Sequence, residues 1–152
     1  MAEKQKKILA VASGGGHWVQ MMRLRPVFEG QDCAFVTTLE GYREQVGDAR
    51  FYVVTDGNRW SKWKLGLSLL QVTWVVVKER PDVIISTGAA PGLLAIGLGK
   101  LLRARTIWVD SIANAEKLSM SGRIATRHAS LCLTQWPHLA RPGGPAFVGS
   151  VL

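Results

Sequence analysis

Apolar residues along the chain fall into short unbroken runs separated by longer stretches of mixed character. The runs lie at Lys7–Ala12, 34–37, 51–55, 83–86, 106–109 and 130–133, and few charges interrupt them. A parallel sheet covered on both faces requires strands that are apolar throughout, whereas a half-solvated sheet would alternate. Segments of helical character occupy 17–28, 42–46, 60–79, 91–102 and 119–128, between the runs. This alternation predicts an α/β fold with one doubly wound parallel sheet. Residues 141–145, Arg-Pro-Gly-Gly-Pro, predict a loop, and 146–148 a short final strand. No repeat, low-complexity tract or linker divides the 152 residues, which read as a single domain.

The 60–79 segment carries more apolar surface than a helix on a sheet needs. Trp60, Trp63, Leu67, Leu70, Trp74 and Val77 recur at steps of three and four, which aligns them on one stripe. Leu65, Leu69, Val72 and Val76 form a second stripe on the other side. One stripe faces the sheet; the other wants a bilayer, a partner or further core. The uncharged run 65–77 covers roughly 20 Å as a helix, short of the ~30 Å hydrocarbon core of a membrane. Arg59, Lys62 and Lys64 precede it, and Lys78 and Arg80 follow. Trp, Leu and flanking cations in this order suit a helix lying in the interface of an anionic membrane, with Trp60, Trp63, Leu67, Leu70 and Trp74 as the contact.

Charge sharpens this picture. Nineteen Lys and Arg against eleven Asp and Glu give +8, which favours anionic partners. The basic residues form no long run and no platform interleaved with aromatics, so a nucleic-acid partner is not expected. Cys33 and Cys132 lie in strand-like runs, lack zinc-ligand spacing and cannot build a disulfide framework, pointing to core positions in a reducing compartment. Lys4, Lys6 and Lys7 precede an apolar run that Ser13 and three glycines stop too early for a secretory signal. No stretch reaches the ~18 apolar residues of a span, and a cytoplasmic location is expected.

In doubly wound sheets, ligands bind beyond the carboxyl ends of the strands. Three such segments carry unusual chemistry. Ser13, Gly14, Gly15, Gly16 and His17 follow the first strand and open a helix. Backbone N–H groups there suit a phosphate or diphosphate, although a tight turn explains the glycines equally. Val19 breaks the GxGxxG dinucleotide fingerprint, and the P-loop Gly-Lys-Ser/Thr is absent. The second segment, Ser86 to Gly92, places Thr87, Gly88, Ala89, Ala90 and Gly92 around Pro91, which suits a first helical turn. It reads either as a second ligand loop or as ordinary turn chemistry. The third contains Asp110, Ser111, Asn114 and Glu116, with Arg123 further on. These are groups for a polyol, or in part helix caps. His17 lies where a helix dipole favours neutral imidazole, the form that serves as a general base; His128 and His138 have no such setting.

Taken together, SGGGH at 13–17, STGAAPG at 86–92, DSIANAE at 110–116, LSMSGR at 118–123 and the closing FVGSVL resemble the PssD/EpsE-type bacterial polysaccharide glycosyltransferase subunits. Those are related to the acceptor-side subunit of the eukaryotic dolichol-linked GlcNAc transferase. The resemblance implies a single Rossmann-like sheet equivalent to the N-terminal half of a GT-B glycosyltransferase. The donor-binding half would be a separate partner chain, forming a hetero-oligomer inactive without it. It further implies a UDP-sugar donor, glucuronate or galactose, and a polyprenyl-diphosphate-linked saccharide acceptor whose diphosphate rests on Gly14–Gly16. His17 would be the base, with Asp110 and Glu116 as alternatives, and no metal or cofactor would be held by this chain. The implied location is peripheral, on the cytoplasmic face of the plasma membrane. A non-catalytic scaffold that recruits its partner to the membrane is the alternative function.

Overall fold

The computed structural model describes residues 3–58 and 60–151; Arg59 and Leu152, which figured in the sequence patterns above, lie outside the described residues. Six parallel strands form one sheet in the order β3-β2-β1-β4-β5-β6. They are β1 (Lys7–Ala12), β2 (Asp32–Thr37), β3 (Arg50–Val53), β4 (Val83–Gly88), β5 (Arg105–Val109) and β6 (Leu131–Leu133). Helices α1 (Gly16–Arg23), α2 (Lys62–Glu79), α3 (Ala89–Leu101) and α4 (Met120–His128) connect them, with 3-10 turns at Arg25–Phe28, Glu40–Val46 and Pro137–Leu139. The doubly wound α/β sheet expected from the apolar runs is the observed fold.

The boundaries differ where local chemistry intervenes. The first helix stops at Arg23, because Pro26 cannot supply an N–H to a continuing α-helix and the chain tightens into a 3-10 turn. The 42–46 segment is likewise 3-10. The last expected strand, 146–148, contributes only a parallel bridge between Ala146 and Leu133. Trp60 precedes α2 rather than belonging to it, held in a turn where Asn58 Oδ1 accepts its N–H at 2.9 Å and that of Ser61 at 3.1 Å.

Each face of the sheet has its own core. On one side Leu9, Val11, Val36, Ile84 and Trp108 pack with Val72, Val75 and Val76 of α2, Ala95 and Ile96 of α3 and Ala125 of α4. On the other, Ala10, Phe35, Phe51 and Ile85 pack with Trp18 and Met21 of α1 and with Phe28. Trp18 and Trp108 are both buried, and full burial of a large apolar side chain is worth about 3 kcal/mol.

Helix α2 buries Ser68, Val72, Val75, Val76 and Glu79 and exposes the opposite stripe. Trp60 is 82% exposed, Trp63 70%, Leu70 69% and Trp74 58%; Leu67 is half-buried. The Trp74 ring packs edge-on to Tyr52 at 6.0 Å, with the Lys78 ammonium 4.7 Å from the Trp74 ring. No described helix is long and apolar enough to cross a membrane.

The C-terminal end of α2 is pinned by charge. Glu79, buried, accepts from Arg50 Nε at 2.9 Å and from the Tyr52 hydroxyl, with Lys7 Nζ 3.6 Å away. Burial alone pushes its carboxyl up, but Arg50, Tyr52 and Lys7 together outweigh it and hold the pKa below the ordinary carboxylate range. Burial, with Glu79 alongside, pushes the Tyr52 phenol up to about 12. A depressed carboxylate stabilises the fold above its unfolded-state pKa, and that contribution is lost as pH falls through the folded-state value. Glu79→Gln is therefore expected to cost about 1–3 kcal/mol at neutral pH. The difference from the parent should shrink on acidification. Urea unfolding at neutral pH and in acid measures both.

Candidate functional site

The strand order reverses between β1 and β4, the switch point where open α/β sheets bind ligands. Both glycine segments emerge from these two strands. In the β1–β4 ladder Val11 pairs with Ser86 and Ala12 with Gly88, leaving Thr87 as an extra residue. Such bulges re-aim groups beside active sites. The Thr87 hydroxyl donates to the His17 carbonyl at 2.6 Å, and the Thr87 carbonyl lies 3.0 Å from His17 Nδ1. A carbonyl only accepts, so Nδ1 carries a proton, and in the neutral ring the lone pair is on Nε2. The imidazole is thus fixed in the tautomer a general base requires.

Close approach at this crossing explains the glycine at 88. Gly88 has φ 144°, and a Cβ there would sit 2.2 Å from His17 Nδ1. Gly92, one turn into α3, faces Ser86, whose Oγ would lie 1.9 Å from an added Cβ.

Neither α1 nor α3 has a capping side chain or an acidic residue in its first turn. Their leading N–H groups and dipoles therefore favour an anion. Within 14–16 the arrangement is narrower than the sequence implied. Gly14 N–H donates to Thr38 Oγ1 at 3.0 Å and Gly15 N–H to the Tyr42 hydroxyl at 2.9 Å. The loop's outward donors are those of Gly16, His17 and Trp18, ahead of the first intrahelical bond from Val19 to Gly15. Cβ atoms built on Gly15 or Gly16 would meet nothing within 4 Å, so the space beside them is open. Thr38 and Tyr42 escaped the sequence reading, because nothing in periodicity or spacing marks a hydroxyl more than twenty residues away as the support of a loop. Tyr42 is itself held by stacking on Trp18, centroids 4.9 Å apart.

The third segment does different work. Asp110 is buried, and its carboxylate accepts from Trp108 Nε1 at 3.0 Å, Ser119 Oγ at 2.7 Å, Ser119 N at 3.1 Å and Asn114 Nδ2 at 3.2 Å. Ser119 in turn caps α4 by accepting from Gly122 N at 2.8 Å. The Asp110 carbonyl takes Gln20 Nε2 and Gln135 Nε2 at 3.2 and 3.1 Å. Gln20 and Gln135, buried amides on a helix and after a strand, were not singled out by any motif. Ser111 Oγ accepts from Ala113 N at 3.2 Å, closing a local turn. Glu116 and Arg123 line another cavity, of about 190 Å³, together with Lys117 and Arg141.

The two thiols are unsuited to nucleophilic work: burial raises the pKa of both Cys33 and Cys132. His138 is exposed, with Nε2 directed at the Ala115 carbonyl, and His128 is exposed at the end of α4. Among the described residues no three His, Cys, Asp or Glu are placed to share a metal ion. A cavity of about 590 Å³, lined among others by Asp32, Cys33 and Arg50, opens at the amino ends of β2 and β3, away from the switch point.

Residues 49–149 match the family model for oligosaccharide biosynthesis protein Alg14 like. The chain belongs to the Alg14-like family. It is 34% identical over 67 residues to the UDP-N-acetylglucosamine transferase subunit ALG14 of Eremothecium gossypii, covering 40% of this chain and 30% of that protein. With the subunit of the same name from Yarrowia lipolytica it shares 36% over 72 residues, 43% of this chain and 33% of the other. The match thus spans about a third of these relatives' length. Among solved structures, MurG of Acinetobacter baumannii superposes with a TM-score of 0.74 at 12% identity, over 94% of this chain and 45% of MurG. The UDP-GlcNAc 2-epimerase of Methanocaldococcus jannaschii gives 0.66 at 15% identity, over 85% of this chain and 40% of the epimerase. The fold of this Alg14-like chain is thus a Rossmann-like α/β sheet resembling the N-terminal half of GT-B enzymes such as MurG, as expected.

Gly88→Ala should drive a methyl into the imidazole and cost on the order of 1–3 kcal/mol in strain. It is also expected to break the Nδ1–Thr87 bond, which 15N NMR of the His17 ring reads as mixed tautomers. Asp110→Ala leaves buried donors unpaired and is expected to cost about 3 kcal/mol or more by chemical denaturation.

Proposed function

We propose that this chain is the acceptor-side subunit of a two-chain inverting glycosyltransferase, with a separate partner supplying the nucleotide-sugar half. Membership of the Alg14-like family supports the glycosyltransferase assignment. The observation that carries the catalytic reading is the His17–Thr87 pair, which occupies Nδ1 and leaves Nε2 as the ring nitrogen available to a substrate, next to two uncapped helix N-termini. In this reading the acceptor is a saccharide on a polyprenyl diphosphate. Its phosphates rest on the N–H groups of Gly16, His17 and Trp18 and on those of Ala89 and Ala90. Nε2 of His17 takes the proton of the acceptor hydroxyl as that oxygen attacks the anomeric carbon. The bond from that carbon to the diphosphate of the UDP-sugar breaks as the new glycosidic bond forms. Asp110 is less suited to the proton transfer, since its carboxylate already accepts four hydrogen bonds. The donor, glucuronate or galactose in the PssD/EpsE-type reading, is selected by the partner, and the product feeds polysaccharide assembly.

The exposed stripe Trp63, Leu70 and Trp74 with Trp60, flanked by Lys62, Lys64 and Lys78, supports peripheral docking on the cytoplasmic face of an anionic membrane. The same stripe serves a non-catalytic recruiting subunit, so His17 decides between the two readings.

With the partner reconstituted, His17→Ala is expected to lower kcat roughly 100-fold or more while the complex stays intact. Normal turnover would make the chain a recruiting scaffold. Flotation with anionic liposomes tests the membrane contact: Trp63→Glu/Leu67→Glu should remain in the aqueous fraction, and a folded variant that still floats excludes α2 as the contact.

A further inference from the structure

A cluster of cations lies where β5 and β6 end, apart from the glycine loops. Lys117, Arg123 and Arg141 surround a cavity of about 190 Å³ that also contains Leu118, Leu139 and a single acid, Glu116. Lys117 comes from the segment after β5, Arg123 from α4 and Arg141 from the loop after β6, so three separate parts of the chain converge. Among the described residues, no ion pair joins any of the three cations to a carboxylate. Three cations against the one carboxylate of Glu116 leave the cavity with an excess of positive charge, which an anion relieves.

The walls are held in place. The 111–118 segment is tied at one end by Ser119 on the Asp110 carboxylate and along its length by Trp136 Nε1, which donates to the Ile112 carbonyl at 2.7 Å. The opposite wall is a closed turn, with Arg141 N donating to Pro145 O and Gly144 N to Arg141 O, each at 3.0 Å. Gly143 there takes φ 71°, a conformation glycine adopts without cost. Buried Leu139 supplies an apolar floor under the cationic rim. None of the lining residues belongs to the glycine segments, and β6 is three strands from β1, on the order of 14 Å at sheet spacing.

We infer that this pocket binds a diphosphate group, with the apolar floor receiving the organic part attached to it. Guanidinium pairs match phosphate oxygens bidentately, which a lysine surface alone does not provide. The diphosphate has two possible sources in the reaction proposed above, the nucleotide and the lipid-linked acceptor. The inference rests on that reading for its biological ligand, while the pocket itself stands on its own geometry.

The test is a titration of the 15N-labelled full chain with inorganic pyrophosphate, UDP and farnesyl diphosphate at constant ionic strength. Amide shifts at Leu118, Arg123, Arg141 and Gly144 are expected, with affinity falling at least 10-fold in Arg123→Ala/Arg141→Ala. Lys117→Ala, which alters only an exposed side chain, should also weaken binding. Tighter binding of UDP assigns the pocket to the nucleotide, and tighter binding of farnesyl diphosphate assigns it to the acceptor. Shifts confined to Gly16–Trp18 and Ala89–Ala90, or unchanged affinity in the variants, would overturn the pocket. Shifts at the pocket with none at the glycine loops would uphold it and count against the acceptor-phosphate role of those loops.

Discussion

The extra residue in the β1–β4 ladder is the constraint on which the rest of the site depends. Because Thr87 has no partner on β1, its carbonyl and hydroxyl are both free to reach across to α1. They meet the ring and the backbone of one residue, His17. The hydroxyl bond holds the backbone of residue 17 and the carbonyl bond orients its ring, so that displacing the imidazole would strand the Nδ1 donor and the Thr87 carbonyl. Space for the ring exists only because position 88 lacks a side chain. The glycine loops are therefore one unit: the first supplies the histidine, and the second supplies its anchor and the room it occupies.

Around that unit the chain divides its labour between the two ends of the sheet. At the amino ends of the strands, Lys7, Arg50, Asp32 and Glu79 form an ion-pair cluster that ties β1, β2 and β3 to the end of α2. Charge there is spent on stability. At the carboxyl ends the helix N-termini are left without acidic caps, and positive potential is directed outward. Asp110 is the exception that makes the opening rigid. By accepting from Trp108, Asn114 and Ser119 it folds a loop with no secondary structure of its own against the sheet and starts α4.

Helix α2 links these ends to the outside. Its inner face buries Val72, Val75 and Val76 with Ser68 and Glu79, whereas Leu69 of the expected inner stripe is 41% exposed because Val75 takes a place on the sheet side instead; its outer face presents Trp63, Leu70 and Trp74 to solvent. Large aromatic side chains on a charged surface cost solubility unless something covers them. Lys78 partly shields Trp74 and Tyr52 through cation–π contacts at 4.7 and 5.5 Å, and Trp63 on the same face is 70% exposed.

How much of this was legible before the fold is a matter of range. Strand placement followed from uninterrupted apolar runs, because burial on both faces leaves a local mark on each strand. The α2 stripe was legible for the same reason, as helical period converts directly into faces, and its outer aromatics are exposed as the stripe required. The end of the first helix at Arg23 was also a local effect, written in Pro26, although the wider period obscured it. What the tertiary structure alone decided were pairings between distant residues. These are Thr87 with His17, Tyr42 and Thr38 beneath the glycine loop, Gln20 and Gln135 on the Asp110 carbonyl, and Arg141 beside Arg123. Each depends on which strands become neighbours, and strand order is set by the packing of the whole chain. Periodicity carries information about a residue's own environment; it carries none about the identity of a partner seventy residues away.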